Sequence, residues 1–239
     1  MKNIVILIPA KEKSARFKNK NLSKIKGVSL LEAKIKMCKQ ANIGKIVVST
    51  NSKKIQNLSI KYKVDEVRLR PNKYASSKST LISVVLDYLR YEVKNKRPLK
   101  KYIAILPITN PFLRKITLIK SLKKLVHNPN VNSITAVTES NLHPFLFVDI
   151  GKKIKFNKFN IRQNKFKNFN RSQDLPKAYV ESAALRITKT DFFLKFLNNK
   201  DPNFSIKPID KKNCLPIKIN FKESHDINTK LDYDIATIL

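Results

Sequence analysis

The segment IPAKEKSARFKNKNL, residues 8–22, carries four lysines and one arginine directly after an apolar run. A loop that leaves a buried parallel strand presents several backbone N–H groups in one concavity, which favours phosphate oxygens. Lysine side chains add point charges that attract a triphosphate. The segment has neither the GxxxxGK[ST] pattern nor the GxGxxG pattern of the common phosphate-binding loops. It therefore indicates a phosphate-binding loop of another kind.

Strands and helices are predicted to alternate along most of the chain. Residues 3–9 form a continuous apolar run, as in a strand buried on both faces. Further strands are predicted at 45–50, 66–70, 102–107 and 132–139, and helices at 53–62, 81–93 and 118–126. Ser29 and Glu32 form a capping-box pattern where another helix begins. The alternation predicts an α/β fold, with a mostly parallel, doubly wound, Rossmann-like sheet between helices.

Three polar segments follow strands of this predicted sheet, at residues 10–21, 49–52 and 107–114. The carboxyl ends of parallel strands share one edge of the sheet, and ligands bind beyond that edge. We therefore expect the three segments to border one cleft.

The chain has a formal net charge of +33, from 50 lysines and arginines against 17 acidic residues. Only nine of the basic residues are arginine, the side chain best suited to reading base edges, and the lysines are spread over the whole length. Nucleic acid is therefore not the partner we expect, although a basic nucleic-acid-binding protein stays an alternative. The positive field favours anionic small molecules.

The sequence also limits the compartment and the domain organisation. No apolar run approaches the ~18–20 residues that span a bilayer, so we expect a cytoplasmic protein without a membrane partner. Cys38 and Cys214 have no CxxC pattern and are expected to be buried apolar side chains.

We predict one domain over residues 1–239, with an excursion of short antiparallel strands at about 140–180, where closely spaced Phe, Asn and Lys break the alternation.

Seven segments match the motifs of one enzyme family in order. They are IPAKEKSARFKNKN (8–21), GVSLLEAKI (27–35), VVSTNS (47–52), LRPNKYASS (69–77), LPITNPFLR (106–114), RSQDLPKAY (171–179) and SHDINTKLD (224–232). The corresponding family patterns are IPARGGSKGxxxKN, GxxLLxxTI, VVSTDS, LRPAELASD, LQPTSPLR, RRQDLPxxY and SIDIDTELD. The chain thus resembles the cytidylyltransferases that make CMP-activated nonulosonic acids, typified by acylneuraminate cytidylyltransferase (CMP-sialic acid synthetase). The resemblance covers nearly the whole chain and implies a fold like that of nucleotide-diphospho-sugar transferases.

The resemblance implies that CMP passes from CTP to the anomeric hydroxyl of a nine-carbon sugar acid, with release of pyrophosphate. In-line displacement of this kind depends on positioning and on charge neutralisation. The implied nucleotide-binding residues are Lys11, Ser14, Lys20, Asn21 and Arg70, of which Lys20 is also catalytic and Arg70 faces the cytosine.

The first loop departs from the family pattern. Lys11 replaces an arginine, so a bidentate phosphate contact becomes a point-charge contact. Glu12 and Lys13 replace two glycines, which limits how closely the backbone can approach a phosphate.

The resemblance also implies a Mg²⁺ cofactor held by Asp226 and Asn228, with Asp226 counted as catalytic. The family has a second aspartate where this chain has Asn228, and an amide oxygen is a neutral ligand. Asp226 has an alternative interpretation as the N-cap of the last helix, a role compatible with metal binding.

The implied sugar-acid ligands are Arg162, Arg171 and Gln173, within an excursion that mediates homodimer formation in the family. Ser172 replaces the second arginine of RRQDLP, and Val180 and Ser182 stand where related synthetases carry arginine and asparagine. We therefore expect a sugar acid other than N-acetylneuraminate, or a weaker enzyme.

Two alternatives to the nonulosonate activity stay open. Ser14-Ala15-Arg16 matches the S-x-R loop of the cytidylyltransferase that activates 3-deoxy-manno-octulosonate. A non-catalytic relative that binds nucleotide or nucleic acid through its charge is the second alternative.

Overall fold

The structure is a computed structural model that describes residues 3–12, 20–144, 148–150, 154–156, 171 and 175–239. Its strands are β1 (Ile4–Pro9), β2 (Lys24–Ile25), β3 (Val28–Ser29), β4 (Lys45–Thr50), β5 (Glu66–Leu69), β6 (Tyr102–Ile105), β7 (Ser133–Glu139), β8 (Val148–Ile150), β9 (Ile154–Phe156), β10 (Tyr179–Lys189) and β11 (Cys214–Lys218). Its α-helices are α1 (Leu30–Ala41), α2 (Lys53–Lys61), α3 (Leu81–Lys94), α4 (Lys115–Val126), α5 (Thr190–Leu194), α6 (Phe221–Ser224) and α7 (Lys230–Ile238).

Seven of these strands form one sheet in the order β11-β7-β10-β6-β1-β4-β5. The pairs β1–β4, β1–β6, β4–β5 and β7–β11 are parallel, whereas β10 runs antiparallel to both β6 and β7. The predicted mostly parallel α/β sheet is confirmed. The return of β10 between β6 and β7 was not predicted, because alternating apolar residues indicate a strand but not its direction.

The two faces of β1 pack against different helices, which explains the unbroken apolar run. Ile6 and Ile8 belong to a core that includes buried residues of α1 and α4. Val5 and Leu7 belong to a second core with buried residues of α3 and α5. Successive side chains of a strand point to opposite faces, so the sheet is the middle of three layers.

Helix α1 begins as the sequence predicts, with a difference in the role of Glu32. The Ser29 hydroxyl accepts a hydrogen bond from the Glu32 backbone N–H at 3.2 Å. The Glu32 carboxylate instead accepts from the Tyr62 hydroxyl at 2.8 Å and forms an ion pair with Lys36 at 2.7 Å. The carboxylate thereby joins α1 to the end of α2.

The two cysteines differ in burial. Cys38 is buried, as predicted, and desolvation raises the pKa of its thiol to about 12. Cys214 is only partly buried, so the prediction of a fully buried side chain was wrong for this residue.

Within the predicted excursion, β8 and β9 form a two-stranded antiparallel sheet, so short antiparallel strands are confirmed there. Most of residues 157–174 lie outside the described part of the chain, and the single-domain organisation stays a prediction. Among the described helices, none combines the length and the apolar character that crossing a bilayer requires.

Candidate active site

The loop that follows β1 is joined to the end of β4 by hydrogen bonds. The Ala10 N–H donates to the Ser49 carbonyl at 2.8 Å, and the Glu12 N–H donates to Asn51 Oδ1 at 3.0 Å. Asn51 Nδ2 in turn donates to Asn72 Oδ1 at 3.1 Å, just beyond β5. Two of the three predicted polar segments, 10–21 and 49–52, therefore lie side by side at one edge of the sheet, and the turn after β5 joins them there.

The two ends of the first loop meet at this edge. Asn21, which is buried within the 3₁₀ turn Lys20–Leu22, donates from Nδ2 to the Lys11 carbonyl at 2.6 Å. The predicted phosphate-binding residues Lys11 and Lys20 are thus brought to the same opening. The amide of Asn21 closes the loop, a structural role in addition to the predicted nucleotide contact. Ser14 lies outside the described residues.

Arg70 follows β5 and is almost fully buried, at 4% exposure. Its Nη1 is 3.4 Å from Ser49 Oγ, and its Nε has no hydrogen-bond partner. Burial lowers the pKa of Arg70 to about 10, against the opposing effect of the Asp87 carboxylate. The guanidinium therefore stays charged at neutral pH, beside the edge where the first loop ends.

Asp226 lies between α6 and α7 and keeps one carboxylate oxygen unpaired. Its Oδ2 accepts from Asn228 Nδ2 at 2.9 Å, whereas its Oδ1 is buried without a hydrogen-bond partner. The N-cap of α7 is Thr229, which forms a reciprocal capping box with Asp232. The alternative interpretation of Asp226 as the N-cap is wrong, so its carboxylate is available for another function.

Hydrogen bonds from Asn110 connect the Asp226 segment to the end of β6. Asn110 Nδ2 donates to the carbonyls of Ser224 and His225, at 3.3 Å and 3.0 Å. The Ile227 N–H donates to the Thr109 carbonyl at 2.9 Å. These bonds bring a C-terminal carboxylate to the edge formed by strands from the first half of the chain.

A cavity of about 850 Å³ adjoins Asp226 on the side of β7 and β10. Its lining residues are Thr138, Glu139, Ser140, Asn141, Leu142, Tyr179, Val180, Glu181, Ser182, Ala183, Arg186, Lys207, Phe221, Ser224 and Asp226. Arg171 is exposed, and Arg162 and Gln173 lie outside the described residues. A small molecule held in this cavity would have Asp226 at one end.

A family model described as Cytidylyltransferase matches residues 5–214 of this chain. The chain belongs to the cytidylyltransferase family. It is therefore a nucleotidyltransferase, which confirms the resemblance drawn from the seven motifs.

Two characterised proteins are similar to this cytidylyltransferase in sequence. The chain is 27% identical to post-translational flagellin modification protein B of Campylobacter coli, over all of its own length and 95% of that protein. It is 28% identical to CMP-N,N'-diacetyllegionaminic acid synthase of Legionella pneumophila, over 59% of this chain and 60% of that protein.

Solved structures share the fold at low identity. A CMP:2-keto-3-deoxy-manno-octonic acid synthetase solved with CTP has a TM-score of 0.64 at 14% identity, with 99% of both chains covered. A 4-diphosphocytidyl-2C-methyl-D-erythritol synthase from Anaerococcus prevotii has a TM-score of 0.63 at 13% identity, covering 99% of this chain and 95% of that one. These likenesses confirm the three-layer α/β fold.

Sequence reasoning missed two side chains of this cytidylyltransferase, Lys34 and Asn110. Lys34 lies on the buried face of α1, at 1% exposure, and its Nζ donates to the Asn110 carbonyl at 2.7 Å. Burial lowers the pKa of Lys34 to about 8, against the opposing effects of Cys38 and Asp226. A signal was present, because Lys34 falls between Leu31 and Ile35 on the apolar face of the helix.

Proposed function

We propose that this cytidylyltransferase transfers CMP from CTP to the anomeric hydroxyl of a nonulosonic sugar acid and releases pyrophosphate. The proposal rests on one observation: the loop after β1, the buried Arg70 and the unpaired Asp226 oxygen border one edge of the sheet, next to a cavity of about 850 Å³. The diacetyllegionaminic acid synthase relative and the motifs 171–179 and 224–232 support the nine-carbon class of acceptor.

The residues of the chain act by positioning and by charge. Lys11 and Lys20 bind the triphosphate as point charges at the mouth of the first loop. Arg70, with its unpaired Nε, contacts the cytidine. The anomeric oxygen forms a bond to the α-phosphorus, the bond to the β-phosphate oxygen breaks, and the hydroxyl proton passes to solvent. The basic residues stabilise the negative charge that develops on the leaving pyrophosphate.

The residues around Asp226 fit a Mg²⁺ ion that is shared with the nucleotide. Its Oδ1 is a hard oxygen ligand without a competing hydrogen bond. Among the described residues, no three His, Cys, Asp or Glu side chains cluster in a way that could hold a metal. Mg²⁺ often binds through one carboxylate together with substrate phosphates, where it neutralises phosphate charge. Asn228 would contribute an amide oxygen only after turning its Nδ2 away from Asp226.

The acceptor cavity is lined by polar and charged residues together with three large apolar side chains. Leu142, Val180 and Phe221 line it, and each leaves at least half of its surface exposed: 65%, 50% and 64%. Such surfaces favour acyl methyl groups over hydroxyls. We therefore propose a diacylated sugar acid as the preferred acceptor. Arg162, Arg171 and Gln173 as carboxylate ligands, and a homodimer that supplies some of them, belong to the same proposal.

A second candidate acceptor is the eight-carbon acid 3-deoxy-manno-octulosonate. The fold likeness to the octonic acid synthetase that was solved with CTP favours it. An acceptor without acyl groups would leave the three apolar side chains of the cavity uncovered, which is the reason to place it second.

The experiment that tests the proposal is a measurement of pyrophosphate release from CTP and Mg²⁺ with three acceptors in parallel. These are N,N'-diacetyllegionaminic acid, N-acetylneuraminic acid and 3-deoxy-manno-octulosonate. We expect the highest kcat/KM with the diacylated acid. A higher kcat/KM with the octulosonate would make the octulosonate the preferred acceptor in place of the diacylated acid. Absence of pyrophosphate release with every nine-carbon acid would contradict the proposal.

A further inference from the structure

The inference concerns the charge beside Asp226 and rests on the proposed function. We propose that the positive charge of Lys34 prevents divalent cations from binding to Asp226 until the phosphates of a nucleotide are bound. The metal would then enter the site together with CTP and would not be held by the empty protein.

Hydrogen bonds connect Lys34, through Asn110, to the backbone immediately before Asp226. Lys34 Nζ donates to the Asn110 carbonyl at 2.7 Å, and Asn110 Nδ2 donates to the His225 carbonyl at 3.0 Å. Lys34 is 1% exposed, so little solvent screens its charge from a cation that approaches Asp226. The ammonium is therefore buried and hydrogen-bonded to the residue that anchors the Asp226 segment.

The charges of Asp226, Lys34 and Asn228 sum to zero before any ligand binds. Asp226 contributes one negative charge, Lys34 one positive charge, and Asn228 none. The charge of Asp226 acts to raise the pKa of Lys34, against the larger effect of burial. A divalent cation therefore meets a single carboxylate whose attraction is offset.

A bound triphosphate would make the net charge near Asp226 negative. Its phosphate oxygens bring several negative charges to the mouth of the first loop, where Lys11 and Lys20 lie. Asp226 Oδ1, which has no hydrogen-bond partner, would then hold a metal ion that arrives with the nucleotide and neutralises phosphate charge. Lys34 does not titrate or move in this scheme, since its fixed charge sets the order of binding.

The test measures Mn²⁺ binding, because Mn²⁺ accepts the same oxygen ligands as Mg²⁺ and is visible by electron paramagnetic resonance. Nucleotide-free protein is titrated with Mn²⁺ alone for the natural protein, Lys34→Met and Lys34→Gln. Glutamine removes the charge but keeps a donor for the Asn110 carbonyl. The Lys34→Gln variant therefore separates the effect of the charge from the effect of the hydrogen bond. Lys39→Met is the matched control, on the same helix but exposed. Thermal melts confirm that each variant is folded.

We expect both Lys34 variants to bind Mn²⁺ at least about tenfold more tightly than the natural protein and Lys39→Met, since removing one close charge is worth that factor or more. Adding Asp226→Asn should abolish this gain. Equal Mn²⁺ affinity for the natural protein and folded Lys34→Gln would overturn the inference.

A second titration, with CTP present and no acceptor, separates this inference from the proposed function. Water-proton relaxation reports Mn²⁺ in the ternary complex, and the natural protein should form it in an Asp226-dependent manner. If Asp226→Asn forms the same complex, the proposed metal site fails and the inference fails with it. If the natural protein already binds Mn²⁺ at Asp226 without CTP as tightly as with it, only the inference fails.

Discussion

At the scale of the residue, Asp226 is only partly buried, but its Oδ1 is buried and unpaired, a costly arrangement unless a ligand completes it. Asn228 supports the other oxygen from one side, and the backbone around Asp226 is held by Asn110. The proposed metal site is therefore formed without a metal ion, and single substitutions should separate its chemistry from its folding.

We predict that Asp226→Asn lowers kcat for pyrophosphate release by at least about a thousandfold, because the charge that holds the metal is lost. The fold should persist, since Thr229 and Asp232 cap α7 without it. Steady-state kinetics and a thermal melt test both statements. Asp234→Asn is the matched control, because Asp234 is an exposed aspartate on α7 that pairs with Lys230. An Asp226→Asn enzyme with near-natural kcat would remove the metal assignment.

Asn228→Asp should lower the Mg²⁺ concentration that gives half-maximal rate, by about threefold to tenfold, since it adds a second carboxylate to the site. Two carboxylates would then replace the 2.9 Å amide contact with Asp226 and repel each other in metal-free protein. The melting temperature without metal should fall and should recover on addition of Mg²⁺. An unchanged Mg²⁺ titration would indicate that residue 228 does not face the ion.

At the scale of the element, hydrogen bonds attach α6 to the start of α4, and α6 positions the segment that contains Asp226. Glu223, at 2% exposure, accepts from the Arg114 backbone N–H at 3.1 Å and from Arg114 Nη2 at 2.8 Å. The Thr117 hydroxyl donates to the same carboxylate. Burial acts to raise the pKa of Glu223, but these hydrogen bonds outweigh it, so the pKa lies below its ordinary value.

This interaction predicts a pH dependence of stability. A carboxylate with a lowered folded-state pKa stabilises the fold at pH values above its unfolded pKa, about 4.3, and loses that contribution as the pH falls through the folded pKa. Glu223→Gln should reduce the free energy of unfolding at pH 7 by about 1–3 kcal/mol, with a smaller difference at acidic pH. Urea unfolding at several pH values measures this, with the exposed Glu139→Gln as control.

A pH-independent difference between Glu223→Gln and the natural protein would show that the carboxylate charge is not what holds α6. A loss of activity at neutral pH in a folded Glu223→Gln enzyme would show that the position of α6 controls Asp226.

The elements differ in how far the sequence could predict them. The apolar run of β1 and the Ser29 cap of α1 are local patterns, and both were predicted. The place of β10 depends on pairing with β6 and β7, more than 40 residues earlier in the chain, which no local pattern specifies. Lys34 was missed because the chain has 50 basic residues and most lysines are solvated. Asp226 was found only because its segment resembles a family motif.

At the scale of the whole molecule, the net charge of +33 is the dominant property. Such a field attracts anionic substrates over distances comparable to the Debye length, about 10 Å at 0.1 M salt. The proposed substrates, CTP and a sugar acid, are both anions. The charge that the sequence carries over its whole length therefore acts on the encounter with substrate more than on the chemical step.

We predict that kcat/KM for CTP falls by about threefold to tenfold between 50 and 300 mM NaCl, while kcat at saturating CTP changes little. Stopped-flow measurement of the CTP association rate should show the same trend. Sucrose at equal osmolality is the control, since it leaves electrostatic screening unchanged. Equal loss of kcat and kcat/KM would instead indicate that salt disturbs the bound state.

The antiparallel strand β10 has a consequence for biosynthesis. Strands β6 and β7 leave the ribosome long before residues 179–189, which must insert between them. Until then, β6 exposes a free backbone edge beside the completed β1–β4–β5 half, and such edges invite pairing with other chains. Residue 226 is translated later still. A nascent chain therefore passes through an aggregation-prone stage, and under the proposed role of Asp226 a chain interrupted before residue 226 is inert.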